Sequence, residues 1–165
     1  MITITIAKTM AELRACYQIL IQLRPELSES DFIELAQYQQ INCYQLAYLN
    51  ADNQVKAIAG FHIGQSFGWQ TYLYVDDLVT DTASRSQGYG TMLITWLKDY
   101  ARENNCTQIH LDSCVTRHSA RKVYLDQEII ANHYFLIDLN QTNPNHKHRI
   151  EHDSRTTYCN ATHPN

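Results

Sequence analysis

The sequence predicts a single α/β (α+β) domain, with helices packed on a mixed, mostly antiparallel twisted sheet. Three observations predict it. Patterned segments run β-α-α-β-β-β-α-β-α-β, and strands alternating with helices in the second half imply βαβ units. The chain has 165 residues, enough for one hydrophobic core and too few for two ordinary domains. Its 44% hydrophobic and 18% charged residues are those of a globular chain, not a disordered one.

Ile2, Ile4 and Ile6 alternate with Thr3 and Thr5, the pattern of a half-buried first strand. Thr9 and Glu12 form a capping box, after which Met10, Leu13, Tyr17, Leu20 and Ile21 line one helical face until Pro25. Ser30 is expected to cap a second helix carrying Phe32, Leu35 and Ala36. Strand-like runs at 43–49 and 55–63 flank Asn50-Ala51-Asp52-Asn53, whose turn residues imply a hairpin. A run at 69–79, rich in aromatic and β-branched residues, reads as a long central strand. The clearest periodicity follows: Tyr89, Leu93, Trp96, Leu97, Tyr100 and Ala101 on one helix side, Thr95, Lys98, Asp99, Arg102 and Glu103 on the other. A short strand at 109–111, a short helix at 117–127 and a last strand at 134–139 complete the domain, 1–140. Residues 141–165 hold two of the three prolines and four of the eight histidines and read as a polar, His-rich tail.

Charge and cysteines exclude several partners. Thirteen Lys and Arg against seventeen Asp and Glu give net −4, which argues against nucleic acid. No apolar run approaches the roughly 20 residues that span a bilayer, and the first eight residues do not resemble a signal peptide. Five cysteines without a C-x-x-C pair suit reduced thiols in a cytoplasmic protein. His146, His148 and His152 lack a completed ligand set, so no metal is expected.

Only five glycines occur, and Gly88 and Gly90 stand where the long strand meets the amphipathic helix, in Arg85-Ser86-Gln87-Gly88-Tyr89-Gly90. Such a junction can receive a pyrophosphate, because the first helical N–H groups lack intrahelical partners and glycine lets phosphates approach. A Walker A string is absent, and a Rossmann fingerprint lacks its third glycine. Taken alone, the hexamer also fits glycines that merely ease a tight turn.

The hexamer matches Arg/Gln-x-x-Gly-x-Gly/Ala and resembles the coenzyme A pyrophosphate loop of the GNAT superfamily of N-acetyltransferases. Its context agrees. Residues 72–80 lead into the loop as that family's fourth strand does, Leu111-Asp112 ends a strand, and Ala120 and Tyr124 have the family's A-x-x-x-Y spacing. The resemblance covers residues 1–139 in element order and implies a GNAT-like fold splayed at its central strands. It implies acetyl-CoA as cosubstrate, with Leu78, Val79 and Thr80 pairing with pantetheine through their backbone. Arg85, Ser86, Gln87, Gly88, Tyr89, Gly90 and Thr91 would meet the pyrophosphate. Tyr124 matches the general acid beside sulfur, and Asp76, Asp112 or an ordered water is the candidate base. Asp76 and Asp77, adjacent on a strand, are expected to face opposite sides. Arg117 stands where the family often has Asn, within reach of a phosphate or of solvent, and Glu128-Ile129 replaces a common Gly-Phe.

The implied reaction is acetyl transfer to a primary amine of a small molecule or peptide, with acceptor walls at 23–38 and 65–69. Asp76, Asp77, Asp81 and Asp112 form an acidic edge that favours a cationic acceptor. A catalytically silent coenzyme A sensor or interaction module is the alternative, and a homodimer is left open.

Overall fold

The computed structural model describes residues 1–41 and 43–112. Their elements are β1 (Ile2–Ile6), α1 (Met10–Leu20), α2 (Glu29–Ile41), β2 (Tyr44–Ala51), β3 (Gln54–Ser66), β4 (Gln70–Thr80), a 3₁₀ turn (Thr82–Ser84), α3 (Tyr89–Glu103) and β5 (Gln108–Leu111). Arg117, Tyr124, the helix and strand expected at 117–127 and 134–139, and the tail 141–165 lie outside the described residues.

The sheet order is β1-β2-β3-β4-β5. Neighbours from β1 to β4 are antiparallel, and β5 joins β4 in parallel after the α3 crossover. Strand alternation then builds two layers. Leu46, Tyr48, Ile58 and Val79 pack with Leu13, Cys16, Tyr17, Leu20, Phe32 and Ala36 beneath α1 and α2. Ala47, Leu49, Ala59, Phe61, Leu73 and Val75 pack with Tyr89, Leu93, Leu97 and Ala101 beneath α3.

The Thr9–Glu12 capping box is present. Amides of Lys8 and Thr9, with the Thr9 and Tyr48 hydroxyls, hold the Glu12 carboxyl down at about 2. Leu13, Tyr17 and Leu20 of the expected face are buried, together with Cys16 and Ile19, while Met10 is exposed. Helix α1 ends at Leu20 and turns through Ile21–Leu23 before Pro25 is reached. Ser28, not Ser30, starts α2. Its carbonyl accepts Phe32 N (2.9 Å) and its hydroxyl accepts Asp31 N (3.2 Å), so Ser30 falls inside the first turn. Asp52 and Asn53 both take left-handed φ, 53° and 60°, the geometry of a two-residue hairpin turn. No helix among the described residues is long and apolar enough to cross a membrane. Cys16, Cys43 and Cys106 are free thiols.

Candidate active site

The junction of β4 with α3 is made of backbone. Gly88, the N-cap of α3, has φ 83°, and no side chain caps the helix. The first helical bond of this end runs from Met92 N to Gly88 O (3.0 Å), so the amides of Tyr89, Gly90 and Thr91 precede any intrahelical acceptor. The first turn carries no acid that would compete for them. A Cβ at Gly88 would meet nothing within 4 Å, which marks open space in front of these donors; one at Gly90 would lie 3.3 Å from Thr80 Oγ1. Ser86, with φ 63°, also adopts the left-handed conformation, and Arg85, Ser86 and Gln87 are exposed. An uncapped, positively polarised helix end beside an arginine fits a diphosphate.

Side chains from elsewhere clamp the approach to this loop. Gln22 Nε2 donates to Asp81 Oδ1 (3.0 Å), while Gln22 Oε1 accepts Thr82 N (2.8 Å) and Thr82 Oγ1 (2.7 Å). Ser84 Oγ donates to Asp81 Oδ2 (2.8 Å). The Gln22 and Ser84 bonds hold the Asp81 carboxyl below its ordinary range. Asp81 therefore ties the loop to Gln22 while remaining a carboxylate held in its charged form.

Strand β5 pairs only with Tyr72–Val75. Leu78, Val79 and Thr80 pair with Ala59, Ile58 and Ala57 of β3, and their other edge has no ladder partner among the described residues. Strand β4 is followed by the 3₁₀ turn and then by the α3 N-terminus.

The alternation expected for Asp76 and Asp77 does not hold. Gly60 pairs with Asp77 and Phe61 with Val75, so Asp76 is the extra residue of a β-bulge. The bulge resets the period, and both carboxylates lie on the α1/α2 face. Asp76 Oδ2 is 2.9 Å from Nδ1 of His62 on β3. Arg24, from the connection between α1 and α2, donates to Asp77 Oδ1 at 2.8 Å, with both side chains only 14% exposed. Tyr44 of β2 lies over Gly60, where a Cβ would overlap its hydroxyl. Burial, then the nearby Asp77 and Asp76 charges, push the Tyr44 phenol well above its ordinary value and keep it neutral. Asp112, the other candidate base, directly follows β5 and is exposed.

A model of the acetyltransferase (GNAT) family matches residues 8–127. The chain belongs to that family. The uncharacterized N-acetyltransferase YhdJ of Bacillus subtilis is 31% identical over 112 residues, covering 67% of this chain and 79% of that protein. An acetyltransferase structure from Trypanosoma brucei superposes with TM-score 0.70 at 20% identity, covering 84% of this chain and 100% of its own. The structure of AAC(6′)-Iy with the bisubstrate analog CoA-S-monomethyl-acetylneamine does so with TM-score 0.73 at 13% identity, covering 84% and 97%. At such identities the structural likeness is one of fold.

This GNAT chain is an acetyl-CoA-dependent N-acetyltransferase. The motif segment Ser86 to Thr91 falls at the N-terminus of α3. His62, Tyr44, Arg24 and Gln22 carry no motif, and sequence reasoning missed them. One signal was available: a glycine inside a strand pattern, Gly60, marks a bulge or a close approach, and here it marks both.

Proposed function

We propose that this enzyme transfers an acetyl group from acetyl-CoA to a primary amine by direct attack. The observation that carries the reading is the uncapped α3 N-terminus after a stretch of β4 whose second edge has no ladder partner among the described residues. Bound there, acetyl-CoA supplies an activated thioester. Leu78, Val79 and Thr80 would hold its arm by main-chain bonds, and Arg85 with the amides of residues 86–91 would hold its diphosphate. A protonated amine of pKa about 10.4 must lose a proton at neutral pH, at roughly 5 kcal/mol, so a base is needed on the acceptor side. Asp76 and Asp112 are the carboxylate candidates, with an ordered water as the third. Tyr124 is proposed as the acid that protonates the departing sulfur.

A small amine acceptor agrees with AAC(6′)-Iy, described as an aminoglycoside N-acetyltransferase, sharing the fold. The pairing of Asp77 with Arg24 reduces the negative charge left for a cationic acceptor, whereas the neutral Gln22 amide leaves the Asp81 carboxylate charged.

Purified enzyme with acetyl-CoA and a panel of kanamycin, spermidine, glucosamine 6-phosphate and an unblocked peptide tests the reading, with released thiol as the readout. Turnover with at least one amine is expected. Calorimetric binding of coenzyme A without turnover on any amine would instead support a silent sensor.

A further inference from the structure

We infer that His62 is the proton acceptor for the amine and that Asp76 acts through it, as a positioning residue. This inference rests on the acetyl-transfer reading above. The two groups meet because of the bulge: Asp76 is the inserted residue, and its carboxylate turns to the face His62 occupies. The Nδ1–Oδ2 distance is 2.9 Å. A carboxylate accepts from Nδ1–H and thereby fixes the neutral tautomer whose Nε2 carries a lone pair, the arrangement a histidine base requires.

The rest of the ring's surroundings hold it without consuming Nε2. His62 lies between Tyr44 of β2 and Tyr74 of β4, its register partners on the two neighbouring strands. It stacks on Tyr74, with centroids 5.5 Å apart and planes 26° from parallel. No described residue hydrogen-bonds Nε2. The side chain is 36% exposed, so solvent or an acceptor can reach it from the α1/α2 side. The titratable and charged groups facing it are Asp76, Asp77 and Tyr74 on β4, Tyr44 on β2 and Arg24 before α2. Asp77 is committed to Arg24 and the Tyr44 phenol is held neutral, so Asp76 is the carboxylate that orients the ring.

The position along β4 suits the chemistry. A pantetheine arm running past Thr80, Val79 and Leu78 carries its thioester to the level of the bulge, where β4 and β5 part after Val75. The ammonium of the acceptor gives one proton to His62 Nε2. Its nitrogen then attacks the thioester carbon, the C–N bond forms, the C–S bond breaks, and the leaving sulfur takes a proton from Tyr124, the proposed acid, which recovers the second proton lost by the nitrogen. His62 returns its proton to solvent, so each turnover yields one amide, one free thiol and one proton. Asp76 is one methylene shorter than glutamate, and His62 supplies the reach it lacks.

Two measurements test this. In the wild-type protein without ligand, ring-nitrogen NMR should find His62 as the Nδ1–H tautomer, and Asp76→Asn should disturb that tautomer. Kinetically, His62→Gln should lower kcat about 100-fold with whichever panel amine turns over, a loss typical of a removed general base. The KM for acetyl-CoA should stay within about twofold, the acid limb of the kcat/KM profile should vanish, and free imidazole should restore turnover to His62→Ala. An Nε2–H tautomer, or a His62→Gln enzyme with wild-type kcat and an intact acid limb, would overturn the assignment. A wild-type enzyme that acetylates no amine removes the acetyl-transfer reading and this one together. A working wild type with an equally working His62→Gln removes only the second.

Discussion

The two faces of the sheet are built by different means. On the α3 side the proposed diphosphate site is main chain: the glycine N-cap and the first-turn amides of Tyr89, Gly90 and Thr91. On the α1/α2 side the groups that would meet an acceptor are side chains brought from four separate segments: Arg24, Tyr44, His62 and the Asp76–Asp77 pair. The first arrangement is local in sequence and tolerates exchange of most side chains. The second depends on register, and a single inserted residue decides which carboxylates share a face. A cosubstrate common to many enzymes suits the first kind of site, and a variable acceptor suits the second.

The contrast is broken most severely at Arg24. Arg24→Met leaves the Asp77 carboxylate without its cation where both side chains are mostly buried, and a loss of about 3 kcal/mol in unfolding free energy is expected. Urea denaturation measures it. Coenzyme A affinity, which belongs to the other face, should change little in the folded variant. A parallel fall in affinity and stability would mean that the two regions are not separable.

Gly88→Ala probes the backbone-built region. The added methyl meets no atom within 4 Å, so only the left-handed φ of 83° resists it, at about 1–2 kcal/mol. If the loop relaxes to relieve that φ, the amides turn away and coenzyme A binding weakens while the acceptor-side pairs stay intact. Unchanged stability in this variant would show that the left-handed cap is not needed.

These two positions also explain what was legible in the sequence. Gly88 was readable because a positive φ selects glycine, and Gly90 because a Cβ there would lie 3.3 Å from Thr80 Oγ1, both local features of the strand–helix junction. The Thr9–Glu12 box and the α3 stripe were readable for the same reason, since both are contacts between residues three or four apart. The pairing of His62 with Asp76 was not, because it depends on a slip in the β3–β4 ladder that alternation cannot anticipate. The tie of Asp81 to Gln22 was not legible either, because the two lie 59 residues apart.

A smaller effect is expected from acid at the start of α1. Glu12 titrates near 2 in the folded chain against 4.5 ordinarily, because the Lys8 and Thr9 amides and two hydroxyls bind its anion. A depressed folded value means that this stabilisation is complete above pH 4.5 and is lost as pH falls from 4.5 through about 2. Glu12 is exposed to solvent, so about 0.5–1 kcal/mol is at stake. Denaturation midpoints at pH 6 and pH 3 should differ less in Glu12→Gln than in the wild type.

The central claim is that free amides at the start of α3 bind the diphosphate of coenzyme A. Calorimetric titration of coenzyme A into wild type and Thr91→Glu tests it most directly. A glutamate in the first turn favours the helix by about 0.3–1 kcal/mol while placing negative charge where the diphosphate would sit. The account predicts that Thr91→Glu is at least as stable as wild type and binds coenzyme A at least about tenfold more weakly, a difference of about 1.4 kcal/mol. Equal affinity in the two proteins would contradict it.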